Sequence, residues 1–217
     1  MNRPIRSYVL RQGRTTPAQA RALEELFPKY GLAYADSPLR FSDVFNREAP
    51  LVLEIGSGMG ETTASIAKAR PDADFIAVEV HGPGVGSLLN RIAKEGLANV
   101  RVIRHDAVEV LARMIADDAL AALHLFFPDP WPKKRHHKRR LVQPQFAALA
   151  ARKLAPGGVL HAATDWPDYA AHMDQVFSQE SLLHRAEGGF AARPATKFEA
   201  RGRRLGHPIR DLYFRRR

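Results

Sequence analysis

Short apolar runs alternate with longer segments of helical periodicity from Leu51 onward, and no other feature of the sequence constrains the fold as strongly. Each apolar run is bounded by Gly, Pro or Asp, whereas the segments between the runs place apolar residues three or four positions apart. This alternation is typical of an α/β protein with a mostly parallel, doubly wound sheet and helices on both faces. The predicted strands cover residues 51–56, 74–80, 99–106, 119–127 and 158–165.

The segments between these strands and the two ends of the chain complete the predicted organisation. A short helix is predicted for residues 17–27, after scattered arginines, and a late strand for residues 207–214. We find no internal repeat and no low-complexity linker. We therefore divide the chain into an N-terminal basic arm with a short helix, residues 1–49, and one main domain, residues 50–217. Helical spacing in that domain extends over residues 61–70, 85–96, 107–116 and 141–154.

The charge balance indicates a polyanionic partner. The chain has 33 Lys and Arg against 23 Asp and Glu, a formal net charge of +10, and an excess of this size favours nucleic acid. A membrane is disfavoured because no apolar stretch approaches roughly 18 residues and no lipidation signal is found. Since the basic N-terminus also lacks the apolar region of a secretory signal, we expect a cytoplasmic protein. The absence of cysteine excludes disulfides and cysteine metal ligands.

Carboxylates recur at the ends of the first four predicted strands. They are Glu54, Glu79, Asp106 and Asp129. In an open α/β sheet the ligand binds beyond the carboxyl ends of the strands, where the strand order reverses. We therefore expect these four carboxylates to surround one crevice.

The sequence GSGMGE after the first strand predicts a turn in which the backbone approaches a ligand closely. Gly56, Gly58 and Gly60 form a G-x-G-x-G pattern, and glycine allows such an approach because it has no side chain. A dinucleotide-binding turn requires glycine at position 61, where this chain has Glu61. Acidic residues around this turn would also serve a pyrophosphate poorly. A bare strand-to-helix turn remains the alternative.

Two further carboxylates favour a ligand that contains a ribose. Glu79 lies nineteen residues after Gly60, where an acid can accept hydrogen bonds from both ribose hydroxyls. Asp106 precedes a helical segment, so it could serve only as the N-cap of that helix. Together with the glycine turn, these residues favour an adenosine-containing ligand without a pyrophosphate. S-adenosylmethionine has this chemistry, and its sulfonium cation suits carboxylates.

The stretch FPDPWPKKRHHKRR follows the fourth strand and joins a restrained carboxylate to a run of cations. Pro128 and Pro130 restrict the backbone of Asp129, which predicts a preorganised carboxylate. Residues 133–140 are all Lys, Arg or His, and they could hold RNA phosphates beside the crevice. A rigid turn and a solvated charged face are the alternatives. Trp131 could stack on a base or pack against the domain.

The motifs EIGSGMGE, EVHGPGVG, RHDAVEVL, FFPDPWPKKRHHKRR, TDWPDY and TKFEARGRRLGH resemble, in order and spacing, the bacterial tRNA (guanine-N7)-methyltransferases. These enzymes methylate guanine 46 of the tRNA variable loop. The resemblance extends from about residue 50 to the C-terminus, and the start RSYVLRQGR also resembles the family. It implies a Rossmann-like class I methyltransferase fold and S-adenosylmethionine as the methyl donor. The chain departs from the family pattern at Gly82, where many members have a different small residue. The departure is small, because Glu79 and the following Pro83 and Gly84 match the pattern.

The resemblance also implies roles for individual residues. Asp129 is the expected catalytic residue, and the expected contacts of S-adenosylmethionine are Glu54, Gly56, Glu79, Asp106 and Asp129. The tRNA is expected to bind through Lys133, Asp165, Thr196, Lys197, Phe198, Glu199, Arg135, His136, His137, Lys138, Arg139 and Arg140. Thr196 and Glu199 could instead form a helix capping box. No metal is expected, because the adjacent histidines have no cysteine or carboxylate at a usual ligand spacing.

The chemistry expected of this site is mainly positioning. Guanine N7 carries a lone pair and no proton, so its methylation needs no general base. We expect Asp129 to hold the guanine through its N1 and N2 hydrogens, with Asp165 as a second orienting acid. Three alternatives stay open at this point: a nicotinamide-dependent dehydrogenase, a noncatalytic RNA-binding module and a methyltransferase for another RNA base.

Overall fold

The computed structural model describes residues 6–8, 13–194 and 208–217. Within these ranges the strands are β1 (Gly31–Leu32), β2 (Leu51–Ile55), β3 (Asp74–Val78), β4 (Val100–Ile103), β5 (Leu120–Phe126), β6 (Leu154–Thr164), β7 (Leu183–Arg185) and β8 (Arg210–Arg216). The α-helices are α1 (Pro17–Glu25), α2 (Phe27–Tyr30), α3 (Phe41–Phe45), α4 (Glu61–Ala69), α5 (Gly82–Glu95), α6 (Ala107–Arg113), α7 (Pro144–Lys153) and α8 (Pro167–Gln179). A 3-10 helix covers Lys134–Arg139.

The described strands form one sheet in the order β1-β4-β3-β2-β5-β6-β8-β7. Strands β1 to β6 pair in parallel, whereas β8 runs antiparallel to both of its neighbours. From β2 the chain proceeds through β3 and β4 in one direction, and β5 and β6 extend the sheet in the other. The strand order therefore reverses between β2 and β5. The crevice at the carboxyl ends of these two strands is where an open α/β sheet binds its ligand.

The predicted α/β fold with a mostly parallel sheet is confirmed. Each of the five main predicted strands overlaps one of β2 to β6, and the late strand corresponds to β8. Helix α8 was not predicted, although Tyr169, Met173, Val176 and Phe177 follow helical spacing and are buried. The helix also begins with a proline, which is favourable at a first helical position.

Buried residues form an apolar layer on each face of the sheet. Helices α6, α7 and α8 cover one face, where Leu53, Leu123 and Phe214 are among the buried strand residues. Helices α1, α4 and α5 cover the other face over β2, β3 and β4. None of the helices in the described ranges is both long enough and apolar enough to cross a membrane.

The segment before β2 is attached to the main sheet. Strand β1 pairs with β4 at the edge of the sheet, and α1 begins with a capping box in which Thr16 and Gln19 exchange hydrogen bonds. The main chain of Gln19 lies against α5 at Gly86, where an added Cβ would be 2.5 Å from the Gln19 carbonyl oxygen. Helix α1 can therefore pack this closely only because position 86 is glycine.

Candidate active site

A cavity of about 540 Å³ lies at the carboxyl ends of β2 to β5, next to the point where the strand order reverses. Its lining combines the ends of these strands with the turns that follow them, and with Ser7 and Tyr8 from the N-terminal segment. The structure therefore brings together the four carboxylates that the sequence placed at strand ends, namely Glu54, Glu79, Asp106 and Asp129.

The lining is acidic. Glu61 adds a fifth carboxylate to the four at the strand ends, and no Lys or Arg is found among the described residues that line the cavity. Glu61 is paired with Arg91 at 2.9 Å on the outer side. Such a lining attracts a cation and opposes an anionic pyrophosphate. The cavity therefore has the charge expected for a sulfonium-containing ligand.

Glu54 is the most deeply buried of these carboxylates. Its side chain projects from β2 and is 3% exposed, and its Oε2 atom accepts a hydrogen bond of 2.8 Å from the Thr63 hydroxyl. Burial raises the pKa of Glu54 to about 7, with a further increase from Glu79, while the bond from Thr63 opposes the shift. The ionised form of Glu54 is therefore poorly stabilised until a cation enters the cavity.

The glycine turn after β2 has the backbone geometry that glycine permits. Gly56, Gly58 and Gly60 have φ angles of 72°, 55° and 77°, in the left-handed region that other residues rarely adopt. The turn also approaches the start of α5 closely, because an added Cβ at Gly84 would lie 2.5 Å from the Gly58 carbonyl oxygen. Within this turn the buried hydroxyl of Ser57 has no hydrogen-bond partner among the described residues. This hydroxyl can therefore accept or donate a bond to a ligand in the cavity.

The carboxylate of Glu79 holds two turns together. Its Oε2 atom accepts the Gly58 N–H at 2.8 Å, and its Oε1 atom accepts the N–H groups of Val80 and His81 at 2.7 and 2.9 Å. A carboxylate has about four acceptor positions, so about one remains for a ligand. The structure thus gives Glu79 a role in organising the backbone that its position in the sequence did not indicate.

Asp106 caps helix α6, as one reading of the sequence allowed. Its Oδ1 atom accepts the Val108 N–H at 2.9 Å. Tyr8 lies nearby on the cavity wall. Burial raises the pKa of the Tyr8 hydroxyl, and the Asp106 carboxylate raises it further, against an opposing hydrogen bond with Arg6. Asp106 therefore has both a local structural role and a position in the cavity wall.

The loop that carries Asp129 has an unusual backbone on both sides of Pro-Asp-Pro. Phe127 and Trp131 have φ angles of 51° and 45°, and they are two of only four non-glycine residues with positive φ in the described ranges. Backbone strain of this kind persists only where the surrounding structure enforces it. The two prolines predicted that the backbone of Asp129 is restrained. The positive φ angles on either side restrain it further, and they could not be predicted because neither Phe nor Trp favours positive φ.

Asp129 presents its carboxylate to the cavity. Its side chain is exposed there, and it forms no hydrogen bond or ion pair with any residue that the structure describes. Desolvation by the surrounding protein raises the pKa of Asp129, and the positive charges of His81 and Arg139 oppose that shift. The carboxylate is therefore available to a ligand rather than engaged by its own loop.

The residues of the basic run, 133–140, differ in their exposure to solvent. Lys133, Lys134, Arg135 and Lys138 are exposed, and His136 and His137 are partly buried. Arg140, in contrast, is 3% exposed, and its guanidinium donates to the Pro130 carbonyl oxygen at 2.9 Å and to Asp168 at 2.5 Å. Arg140 therefore anchors the loop inside the protein, and this position differs from the RNA contact expected from the sequence.

Arg139 and Trp131 connect the basic run to the N-terminal segment. The Arg139 guanidinium lies 3.9 Å from the centre of the Trp131 ring, and Trp131 Nε1 donates to the Ser7 carbonyl oxygen at 3.1 Å. Arg139 also donates to the carbonyl oxygens of Arg6 and Tyr8 at 3.4 Å. In this structure Trp131 therefore packs against the protein, which is one of the two roles that the sequence allowed, the other being to stack on a base.

The remaining candidates lie around or beyond this cavity. Asp165 follows β6, is partly buried and does not line the cavity. The expected substrate segment Thr196, Lys197, Phe198 and Glu199, with its possible capping box, lies outside the described residues. No group of His, Asp and Glu that could hold a metal ion occurs in the part of the chain that the structure describes.

Three residues near the cavity were missed by reasoning from the sequence. Ser57 and His81 line it within motifs that had been singled out for their glycines and acids, so they could have been found by counting one or two positions further. Tyr8 lies more than forty residues before β2, and only the resemblance of its segment to the family gave a signal.

Comparison with known proteins agrees with this geometry. A family model described as "Putative methyltransferase" matches residues 48–212. A tRNA (guanine-N(7)-)-methyltransferase of Nitrosomonas eutropha is 55% identical over 215 residues, which cover 97% of this chain and 96% of that protein. A tRNA (guanine-N(7)-)-methyltransferase of Aromatoleum aromaticum is 58% identical over 220 residues, which cover 100% of this chain and 85% of that protein.

Solved structures support the fold alone. The crystal structure of the 16S rRNA methyltransferase KamB matches with a TM-score of 0.57 and 16% identity, and the match covers 81% of this chain and 92% of that chain. The acid-lined cavity at the strand switch point, the family model and the full-length similarity lead to one conclusion. The chain belongs to the tRNA (guanine-N7)-methyltransferase family and has the Rossmann-like class I methyltransferase fold.

Proposed function

We propose that the protein transfers a methyl group from S-adenosylmethionine to N7 of guanine 46 in the variable loop of tRNA. One observation carries the proposal: an acidic cavity, suited to a cation, opens beside a loop of exposed Lys and Arg, suited to a polyanion. Asp129 lies between the two. Because the substrate is tRNA, we also propose a cytoplasmic location.

The residues of the cavity fit S-adenosylmethionine. When bound, this donor supplies a methyl group on a sulfonium centre. Glu54 would face its positive charge, Glu79 and Asp106 would accept hydrogen bonds from its nucleoside, and Asp129 would lie at the end of the cavity nearest the tRNA. The backbone at Gly56 and the unpaired Ser57 hydroxyl are further groups that the ligand can reach. The same acids disfavour a dinucleotide, since its pyrophosphate would meet carboxylates and no Lys or Arg among the described lining residues.

The chemistry requires alignment more than activation. The guanine N7 lone pair forms the new N–C bond while the C–S bond breaks, and the electron pair of that bond remains on sulfur. No proton is removed, so no general base is needed. Positive charge moves from the sulfonium to the guanine during this step. Asp129 would hold the N1 and N2 hydrogens of the base and stabilise the charge that develops on the ring.

The basic loop would bind the tRNA backbone while the base enters the cavity. We assign this role to Lys133, Lys134, Arg135 and Lys138, with His136, His137 and Arg139, which stacks on Trp131, at the edge of the surface. Arg140 is given an anchoring role instead, because its guanidinium is buried against Asp168 and lies 4.8 Å from the centre of the Tyr169 ring. Asp165 and residues 196–199 remain proposed substrate contacts on the strength of their motifs.

The division of the chain at residue 50 also remains a proposal. The family match begins at residue 48, which supports it. The segment before it is nevertheless attached to the sheet through β1, and it supplies Ser7 and Tyr8 to the cavity wall.

Asp129→Asn tests the proposed role of the carboxylate. We expect the single-turnover rate of methylation to fall by about 100- to 1000-fold, because the charge that stabilises the methylated base is lost. The assay uses unmodified tRNA and labelled S-adenosylmethionine, and the product is mapped by reduction and aniline cleavage at 7-methylguanosine. Asp72→Asn, which alters an exposed carboxylate in the turn before β3, serves as the control. A wild-type rate for Asp129→Asn would remove the proposed role, and label at another base would change the proposed substrate.

Glu54 should couple ligand binding to pH. Because burial raises its pKa to about 7, Glu54 is protonated below that pH, and a cationic ligand must displace the proton. We expect the affinity for S-adenosylmethionine to rise with pH below about pH 7, by up to about tenfold per pH unit for one coupled proton, and to level off above that pH. Isothermal titration calorimetry should show this linkage reduced for S-adenosylhomocysteine, which lacks the sulfonium charge, and absent in Glu54→Gln. An identical pH dependence in wild type and Glu54→Gln would contradict the coupling.

The salt dependence of tRNA binding tests the basic loop. Replacing Lys134, Arg135 and Lys138 together with alanine should lower the slope of log K against log salt by roughly 2 to 3, since each lost phosphate contact contributes about 0.7 to 0.9. The matched control replaces Arg152, Arg215 and Arg217 with alanine. This variant has the same net charge as the loop variant, but its three substitutions lie toward the end of β6 that is farther from the cavity. If both triple variants lowered the slope equally, the loop would not be a specific contact site for the tRNA phosphates.

A further inference from the structure

A partly buried polar cluster lies against the start of the loop that carries Asp129, and neither the proposed reaction nor the family motifs account for it. His161 on β6 and Asp211 on β8 are separated by 50 residues in sequence, and His161 Nε2 lies 2.8 Å from Asp211 Oδ1. The Arg193 guanidinium contacts both oxygens of the same carboxylate, with Nε and Nη2 each at 3.1 Å. We call these three residues the Asp211 clasp.

Two members of the clasp are shielded from water, whereas the Asp211 side chain is 29% exposed. The side chains of His161 and Arg193 are 1% and 6% exposed. Burial alone would raise the pKa of Asp211, but the hydrogen bonds from His161 and Arg193 outweigh burial and lower it to about 2. Asp211 is therefore ionised and accepts from both partners, so His161 Nε2 carries a hydrogen.

The main chain around Gly189 covers the clasp and brings Arg193 to it. An added Cβ at Gly189 would lie 3.2 Å from His161 Nδ1 and 3.0 Å from the Tyr213 ring, so the backbone rests directly on these side chains. Gly188 has a φ of 79°, which favours glycine and lets the chain turn onto the sheet. The clasp is thus assembled from β6, β8 and a covering segment.

The clasp contacts the start of the Asp129 loop. The Arg193 guanidinium lies 5.3 Å from the centre of the Phe127 ring and 5.8 Å from that of Phe126. The His161 ring meets the Phe126 ring edge-on at 4.8 Å. Both phenylalanines line the cavity, and Phe127 is only two residues before Asp129.

Phe127 needs such support because its backbone is strained. Its φ of 51° is disfavoured for a residue with a large side chain. Its N–H donates to the Ala163 carbonyl oxygen at 2.7 Å, which fixes one end of the residue to β6. The Arg193 guanidinium over the ring fixes the other. If the ring were released, the backbone could relax toward negative φ and redirect the chain at Asp129.

We propose that the Asp211 clasp holds Phe127 in its left-handed conformation and so positions Asp129 in the cavity. Arg193, Asp211 and His161 are positioning residues here, since none of them contacts the reacting atoms. The kinetic consequence rests on the proposed methyl transfer, whereas the effect on loop conformation does not.

Trp131 offers a direct signal from the same loop. The sequence contains two tryptophans, Trp131 and Trp166, so Trp166→Phe leaves one tryptophan in the Asp129 loop. In that background we expect Asp211→Asn to increase quenching of Trp131 fluorescence by acrylamide. We also expect the single-turnover rate at saturating substrates to fall by between about tenfold and about 100-fold, with little change in the dissociation constant of S-adenosylmethionine.

A second arginine–aspartate pair supplies the matched control. Arg47 donates to Asp74 at the start of β3 through Nε and Nη2, at 2.9 and 2.6 Å, and Asp74 is 4% exposed. Asp74→Asn breaks another partly buried arginine–aspartate pair, away from the Asp129 loop, and we expect it to lower thermal stability without changing Trp131 quenching or the single-turnover rate. Arg193→Lys is a milder variant that keeps the charge but loses the planar contact with both oxygens and with the Phe127 ring.

The outcomes separate the clasp from the proposed reaction. Increased quenching and a reduced rate in both clasp variants, but not in Asp74→Asn, would support the proposal. Wild-type quenching in folded Asp211→Asn and Arg193→Lys, or equal effects in Asp74→Asn, would overturn it. If the wild-type protein failed to methylate tRNA, the proposed function would fall, and the fluorescence comparison would still decide whether the clasp controls the loop.

Discussion

The site depends on keeping one carboxylate apart from the cations that follow it. Asp129 is followed within a few residues by eight consecutive Lys, Arg and His residues, yet it forms no ion pair with the residues that the structure describes. An ion pair at this point would neutralise the charge that a methylated base requires. The loop prevents it through backbone geometry, since Pro128 and Pro130 restrict the chain and Phe127 and Trp131 adopt positive φ on either side.

The nearby cations are engaged elsewhere. Arg140 is buried and pairs with Asp168, while Arg139 stacks on Trp131 and donates to carbonyl oxygens of the N-terminal segment. These contacts leave the exposed lysines and Arg135 free to face a polyanion. The result is a sharp boundary between an acidic cavity and a basic surface, with Asp129 at the boundary. On the cavity side, burial makes ionisation of Glu54 costly and raises its pKa to about 7, and the same low dielectric strengthens the attraction of its carboxylate for a cation.

Much of this arrangement could be predicted from the sequence because it follows from general rules of parallel sheets. The carboxyl ends of parallel strands meet at one edge, so Glu54, Glu79, Asp106 and Asp129 had to converge once the strands were recognised. The glycine turn was predictable for a similar reason. In contrast, nothing in the basic run distinguishes Arg140 from Arg139, because the difference arises from contacts with Asp168 and Tyr169 that are distant in sequence. The Asp211 clasp was equally inaccessible, since it joins three segments through side chains that carry no local pattern. Helix α8 differs from both, because the helical spacing of its buried residues is a local pattern that makes the helix predictable from the sequence.

A crystal structure of the protein with S-adenosylhomocysteine and an unmodified tRNA would test the central claim most directly. We expect the sulfur atom inside the acidic cavity, guanine N7 facing it, and an Asp129 oxygen within hydrogen-bonding distance of the guanine N1 or N2 atom. The phosphates of the variable loop should contact the exposed cations after Pro130. A complex in which Asp129 turns away to pair with Lys or Arg of its own loop, or in which the base lies outside the cavity, would contradict the proposed role of Asp129.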